Sequence, residues 1–163
     1  MSKNIFNKTF EVLKSQKLKV VDKDTNRPWG GFFVISEHNS QYFSNIYFKG
    51  LNTEEIKVSG KLSPKILIVA PNKRLSWQYH HCRSEIWKVV SGKIKVVTSP
   101  DDIERKEQTL KEGDEIRLYR GERHRIIGMD DYAIVAEIWI HTDKDNPSDE
   151  NDIVRVQDDF DRN

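Results

Sequence analysis

One short stretch of this 163-residue chain carries an amide, two imidazoles, a thiol and a carboxylate, at Gln78, His80, His81, Cys82 and Glu85. Gln78 and His80 are two apart, so in an extended segment they face the same side and His81 faces the other. Glu85 opens the next apolar run, where a turn can bring its carboxylate back against that pair. Further on, His124 stands at the start of another such run. Amide oxygen, imidazole and carboxylate make a mixed nitrogen and oxygen set suited to a divalent first-row metal. Spacing alone does not single these residues out. The chain has five histidines, and a lone histidine more often serves the surface or the core.

The elements that must position them read as short β runs. Lys65 to Ala70 is one. Ile86 to Val90 and Ile94 to Thr98 flank Ser91-Gly92-Lys93, a hairpin signal. Glu115 to Tyr119, His124 to Ile127 and Ala133 to His141 follow, with turn residues between them. Many short strands without alternating helices point to a sandwich or closed barrel, an all-β fold. Before them, Lys3 to Lys17 places Phe6, Phe10 and Leu13 at helical spacing, which predicts one short amphipathic helix. Asp22 to Pro28 reads as a polar turn, and Phe32 to Ile35 as an apolar run. Asn39 to Lys57 suits a helix opened by Ser40 or, from its aromatics, a strand. Pro100 to Lys111 reads as a solvated loop or hairpin tip, and Asp143 to Asn163 as a polar tail. The organisation expected is an N-terminal helix and linker over residues 1–26 and one domain over 27–163.

Composition narrows the partners. Hydrophobic residues make up 36% and charged residues 33%, and the formal net charge is +1. A nearly neutral chain has no global basic field, so neither nucleic acid nor an anionic membrane is expected. No apolar run approaches the length of a membrane span. Met1 to Phe10 lacks the apolar stretch of a signal peptide, and the single Cys82 excludes an intrachain disulfide. A cytoplasmic protein is expected.

The motifs add a family. Gln78-x-His80-x4-Glu85-x6-Gly92 resembles the first cupin motif, with Gln for the usual first His. Gly113-x5-Tyr119-x-Gly121-x2-His124 resembles the second, with Tyr119 for a usual Pro, and Gly128 replaces a usual Asn. Arg27-Pro28-Trp29-Gly30, Leu75-Ser76-Trp77-Gln78-Tyr79-His80-His81, Arg83-Ser84-Glu85-Ile86-Trp87, Gly121-Glu122-Arg123-His124-Arg125 and Asp152-Ile153-Val154-Arg155 are similar to the type II phosphomannose isomerases. The similarity runs from about Arg27 to Arg162, broken by an extra segment around Asn39 to Ser63. Cys82 stands where that family usually has a third histidine. Only 26 residues precede Arg27, so the nucleotidyltransferase to which such isomerases are often fused is not expected.

The resemblance implies a cupin double-stranded β-helix, a jelly-roll barrel, with a short N-terminal helix and a helical or irregular insertion. It implies one divalent metal held by Gln78, His80, Glu85 and His124, with zinc favoured and Mn, Fe, Co or Ni open. The implied activity is aldose–ketose isomerisation of a phosphorylated sugar, mannose 6-phosphate to fructose 6-phosphate. Such chemistry needs an acid/base group, and Glu137, a carboxylate in an otherwise apolar strand, is the first candidate. A solvent-facing Glu paired with a basic neighbour is the competing reading. Arg83 is a second catalytic candidate. His81 is a weaker one, since parity turns it away from His80. A phosphate calls for cations, and Arg27, Arg123 and Arg125 are the set within the motifs besides Arg83. Trp29 and Trp87 offer faces for a sugar ring or pack the core, and Cys82 reads as a pocket-wall thiol. Two alternatives stay open: a non-catalytic sugar- or sugar-phosphate-binding metal cupin, and another metal-cupin enzyme such as an iron dioxygenase. A homodimer is also left open.

Overall fold

Two apolar faces run along the strands that follow Gly30. In β2 (Gly30–Ile35) and β3 (Lys65–Val69), Phe33, Ile35, Ile66 and Ile68 pack into one cluster, while Phe32, Leu67 and Val69 pack into another. A sheet that is apolar on both faces must be covered on both. The computed structural model, which describes residues 2–162, shows the two covers.

The inner cover is a second sheet. The first sheet has the order β1 (Val20–Arg27), β2, β3, β10 (Ala133–His141), β5 (Arg83–Ser91) and β8 (Glu115–Leu118). The second has the order β11 (Val154–Gln157), β4 (Trp77–Tyr79), β9 (Arg123–Gly128), β6 (Lys93–Ser99) and β7 (Lys106–Lys111). All neighbours are antiparallel. The sheets close on Trp87, Val89, Val96, Ile126 and Val135. The outer cover is helical: Phe6 and Leu13 of α1 (Ser2–Ser15) and Phe43 and Tyr47 of α2 (Ser40–Tyr47) pack with Phe33, Ile66 and Ile138. The fold is the all-β, cupin-type jelly-roll barrel, with the N-terminal helix and a helical insertion that also holds the short α3 (Thr53–Ile56).

Three polar stretches expected as turn, loop and tail contribute strands instead. β1 covers Asp22 to Arg27 and pairs only with β2. β7 lies within Pro100 to Lys111 and pairs only with β6, burying Leu110 alone. β11 lies in the tail and pairs only with β4. Each is an edge strand, whose outer side meets water and therefore needs no apolar alternation. The segment expected as a linker before Arg27 is thus part of the first sheet; the outermost residues of the two expected units, Met1 and Asn163, lie outside the described residues. α2 does begin at Ser40, which is its first helical residue rather than its cap. A 3-10 turn (Glu37–Asn39) precedes the helix, and Asn39 holds the cap position without a side-chain bond.

Gly92 and Gly128 are among the glycines that geometry requires. Gly92 turns the β5–β6 hairpin at φ +79°, a conformation that L side chains rarely adopt. At Gly128 a Cβ would lie 2.2 Å from the Ala70 carbonyl oxygen. That close approach accounts for glycine where the resembling family has Asn. Among the described residues, no helix is long and apolar enough to cross a membrane.

Candidate metal centre

Strands of both sheets bring the donor residues together inside the barrel. Gln78 lies in β4 directly opposite His124 of β9, and His80 follows the end of β4. Glu85 enters from β5 of the other sheet, opposite Trp139 of β10. His80, Glu85 and His124 are buried, and one donor atom from each lies within 4.8 Å of the others. His80 Nε2 is 3.2 Å from His124 Nε2, and Glu85 Oε1 is 2.8 and 3.2 Å from those two nitrogens.

Both imidazoles are oriented from behind. His80 Nδ1 donates to the Asp152 carbonyl at 2.7 Å, and His124 Nδ1 donates to the Glu122 carbonyl at 3.0 Å. With Nδ1 protonated, the neutral ring turns its Nε2 lone pair inward. Two imidazole lone pairs and a carboxylate oxygen then face one another, and Glu85 Oε1 is buried without a hydrogen-bond donor. Arg83 Nη2 lies 3.3 Å from His80 Nε2, but Glu85 Oε1 has no donor, and three acceptors this close fit a divalent ion among them. The charge states agree. Burial opposes ionisation of Glu85, but neighbouring positive charge, that of Arg83 included, holds its carboxyl well below the usual range. Burial lowers the pKa of His124, which favours the neutral ligand form over the imidazolium.

Gln78 stands beside the cluster but is turned away from a ligand pose. Its Oε1 accepts from Ser76 Oγ at 2.5 Å, while Nε2 points at His80 Nε2 from 3.4 Å. To offer its oxygen, the amide must turn over and release Ser76.

A cavity of about 490 Å³ opens on the cluster and is lined by Gln78 and Glu85. Glu137, Arg83, Arg27, Trp29 and Trp87, named as candidates from the sequence, also line it. Glu137 is buried rather than solvent-facing, and its Oε1 accepts from Trp87 Nε1 at 3.3 Å and Trp139 Nε1 at 3.2 Å. The Arg83 guanidinium lies 3.6 Å from the Trp139 ring centroid and donates to Ser148 Oγ and the Asp149 carbonyl.

Two arginines expected at a phosphate are engaged elsewhere. Arg125 is buried, and its guanidinium is used up on the Leu75 carbonyl, Glu104 and Gln157. Arg123 binds Asp102 and lies over the Tyr79 ring. Strand parity explains Arg125, because in β9 it faces away from the barrel side on which His124 lies. Cys82 is not a cavity wall either: β4 ends at Tyr79, and the thiol meets Asn146 Nδ2 at 3.5 Å. His81 is exposed. The cavity includes Lys65, Trp139, Glu150, Arg155 and Arg162, which sequence reasoning did not select. Lys65 carried a usable signal, a charge at the head of the apolar run Ile66 to Val69, the same signal that drew attention to Glu137.

Comparison with known proteins gives this geometry a family. The family described as Mannose-6-phosphate isomerase C-terminal matches residues 39–158. No curated protein matches the chain. Among solved structures, the capsular polysaccharide assembling protein CapF from Staphylococcus aureus is similar at 16% identity with a TM-score of 0.56, over 86% of this chain and 32% of CapF. Drosophila melanogaster CENP-C bound to CAL1 is similar at 14% identity with a TM-score of 0.51, over 76% of each chain. A Cupin 2 conserved barrel domain protein from Salinispora arenicola is 24% identical over 51% of this chain and 66% of its own, with a TM-score of 0.43. The chain spans only about a third of CapF, and likeness at these identities speaks for the fold alone. Given the family match over most of its length, the chain belongs to the mannose-6-phosphate isomerase C-terminal family, built on a cupin barrel.

Proposed function

We propose that this protein is a metal-dependent aldose–ketose isomerase of a phosphorylated sugar, converting mannose 6-phosphate to fructose 6-phosphate. The observation that carries the reading is one cavity lined both by a member of the acceptor cluster, Glu85, and by a carboxylate held ready for proton transfer, Glu137. His80, Glu85 and His124, with Gln78 beside them, would hold a divalent ion, which would supply Lewis-acid stabilisation of charge developing on the substrate oxygens.

The rest is the work of the side chains. Glu137 takes the proton from C2 beside the C1 carbonyl, and the freed electron pair forms the C1–C2 double bond as the carbonyl π electrons move onto O1. The O2 hydroxyl proton passes to O1, and Glu137 returns its proton to C1 as the C2 carbonyl forms. Two indole donors on Oε1 fix the carboxylate and leave Oε2 without a protein donor among the described residues. Arg83, buried against Trp139, places a fixed positive charge beside the developing negative one. With Arg123 and Arg125 engaged elsewhere, the phosphate role passes to Arg27, Arg155 and Arg162, which line the same cavity.

A coupled assay of the metal-loaded protein across several aldose phosphates tests the reading. Mannose 6-phosphate is expected to turn over, with free mannose poorer by about 10- to 150-fold in kcat/KM, the worth of a charge-assisted phosphate contact. Binding of aldose phosphates with no turnover of any of them would replace the isomerase by a sugar-phosphate-binding module.

A further inference from the structure

The cavity contains one cation that the proposed reaction does not use. Lys65 is 5% exposed, with Nζ 4.2 Å from the Trp139 ring centroid and 5.0 Å from that of Phe32. A buried ammonium needs a nearby anion, because its own desolvation is unfavourable. Glu150 supplies that anion from the irregular segment between β10 and β11. The two partners differ sharply in exposure: the Lys65 side chain is 6% exposed and that of Glu150 is 60%. Burial lowers the Lys65 pKa and the Glu150 charge raises it, so the carboxylate helps keep the ammonium protonated.

Glu150 is thus a carboxylate at a cavity that Arg27, Arg155 and Arg162 also line. The segment that carries it is pinned on both sides. Ser148 Oγ donates to the Asp152 carboxylate at 2.6 Å, and that carboxylate accepts the His81 and Cys82 N–H groups at 2.8 and 2.9 Å. Glu150 can therefore leave Lys65 by a side-chain rotation alone, without unpinning the segment.

We propose that Lys65 is an oxyanion subsite and that Glu150 is its resident plug, which an anionic ligand displaces into solvent. The exchange keeps one anion beside the buried ammonium throughout. Glu150, already mostly in water, gives up little by leaving. The ligand class is a phosphate or carboxylate oxyanion, and the inference rests on the isomerase reading only in taking the ligand to be anionic.

Calorimetric titration of inorganic phosphate into the full-length, metal-loaded protein tests this. Glu150→Gln should tighten phosphate binding by about tenfold, the lower end of what one charge-assisted hydrogen bond is worth. Lys65→Met should weaken binding, and Glu150→Gln should give no gain in the Lys65→Met background, because the plug acts only through Lys65. Should Lys65→Met fail to fold, Lys65→Gln takes its place in the cycle. Unchanged or weaker binding in Glu150→Gln overturns the inference. So does a gain that persists without Lys65, since it would then come from net charge alone. The readout is binding, so an inactive wild-type protein that passes these tests loses the isomerase reading and keeps the subsite.

Discussion

Two indole N–H groups on a single oxygen of Glu137 do more than satisfy a buried carboxylate. They fix its plane, and under the proposed isomerisation a base so fixed would reach its proton without reorganising at the moment of transfer. Glu137→Gln keeps an oxygen for Trp87 and Trp139 but cannot accept a proton. We expect this variant to bind metal and melt like the wild type, with kcat lower by about 10²- to 10⁴-fold. Unchanged kcat at full metal occupancy would move proton transfer to another group. The two indoles also explain why a carboxylate survives in Ala133 to His141, an otherwise apolar strand.

At the scale of elements, the chain after β10 does the least expected work. Asp152 accepts the His81 and Cys82 N–H groups through its side chain and the His80 ring N–H through its carbonyl. The tail therefore holds the β4–β5 turn in place and aims a member of the acceptor cluster. Burial works against the Asp152 charge, but the Ser148 hydroxyl, the two backbone donors and Arg83 outweigh it, and its pKa is lowered. A depressed carboxylate adds stability that is present above its unfolded pKa and lost as pH falls through the folded value. Asp152→Asn should thus cost about 1–2 kcal/mol at neutral pH, allowing for partial exposure. The gap should close in strong acid. Chemical denaturation at both pH values measures it, and equal stability at neutral pH would remove the tail from this role. Sequence periodicity located the strands with an apolar face, among them Ala133–His141 with its observed bounds. It passed over β1, β7 and β11 because an edge strand pairs on one side and can be polar without penalty. The motif resemblance, rather than spacing alone, drew attention to His80, Glu85 and His124, which the fold brings together, and to Gln78, which stands beside them with its oxygen on Ser76. The commitments of Arg125 and Arg123 were not legible, since they depend on Glu104, Gln157 and Asp102, partners that only the folded chain brings near.

At the scale of the whole molecule, the first sheet separates two cores. Phe43 belongs to the outer one, and the acceptor cluster lies on the inner side of the barrel. Phe43→Ala should therefore cost about 3–5 kcal/mol in denaturation while leaving metal content unchanged. Loss of metal in this variant would mean that the helical cover also shapes the site. The inner side holds the central claim, that His80, Glu85 and His124 together bind one divalent ion. Metal analysis of the purified protein tests that claim most directly. It should return one divalent metal per chain in the wild type and most of it lost in the His80→Ala/His124→Ala variant, with the fold retained. Stoichiometric metal in that double variant would contradict the account.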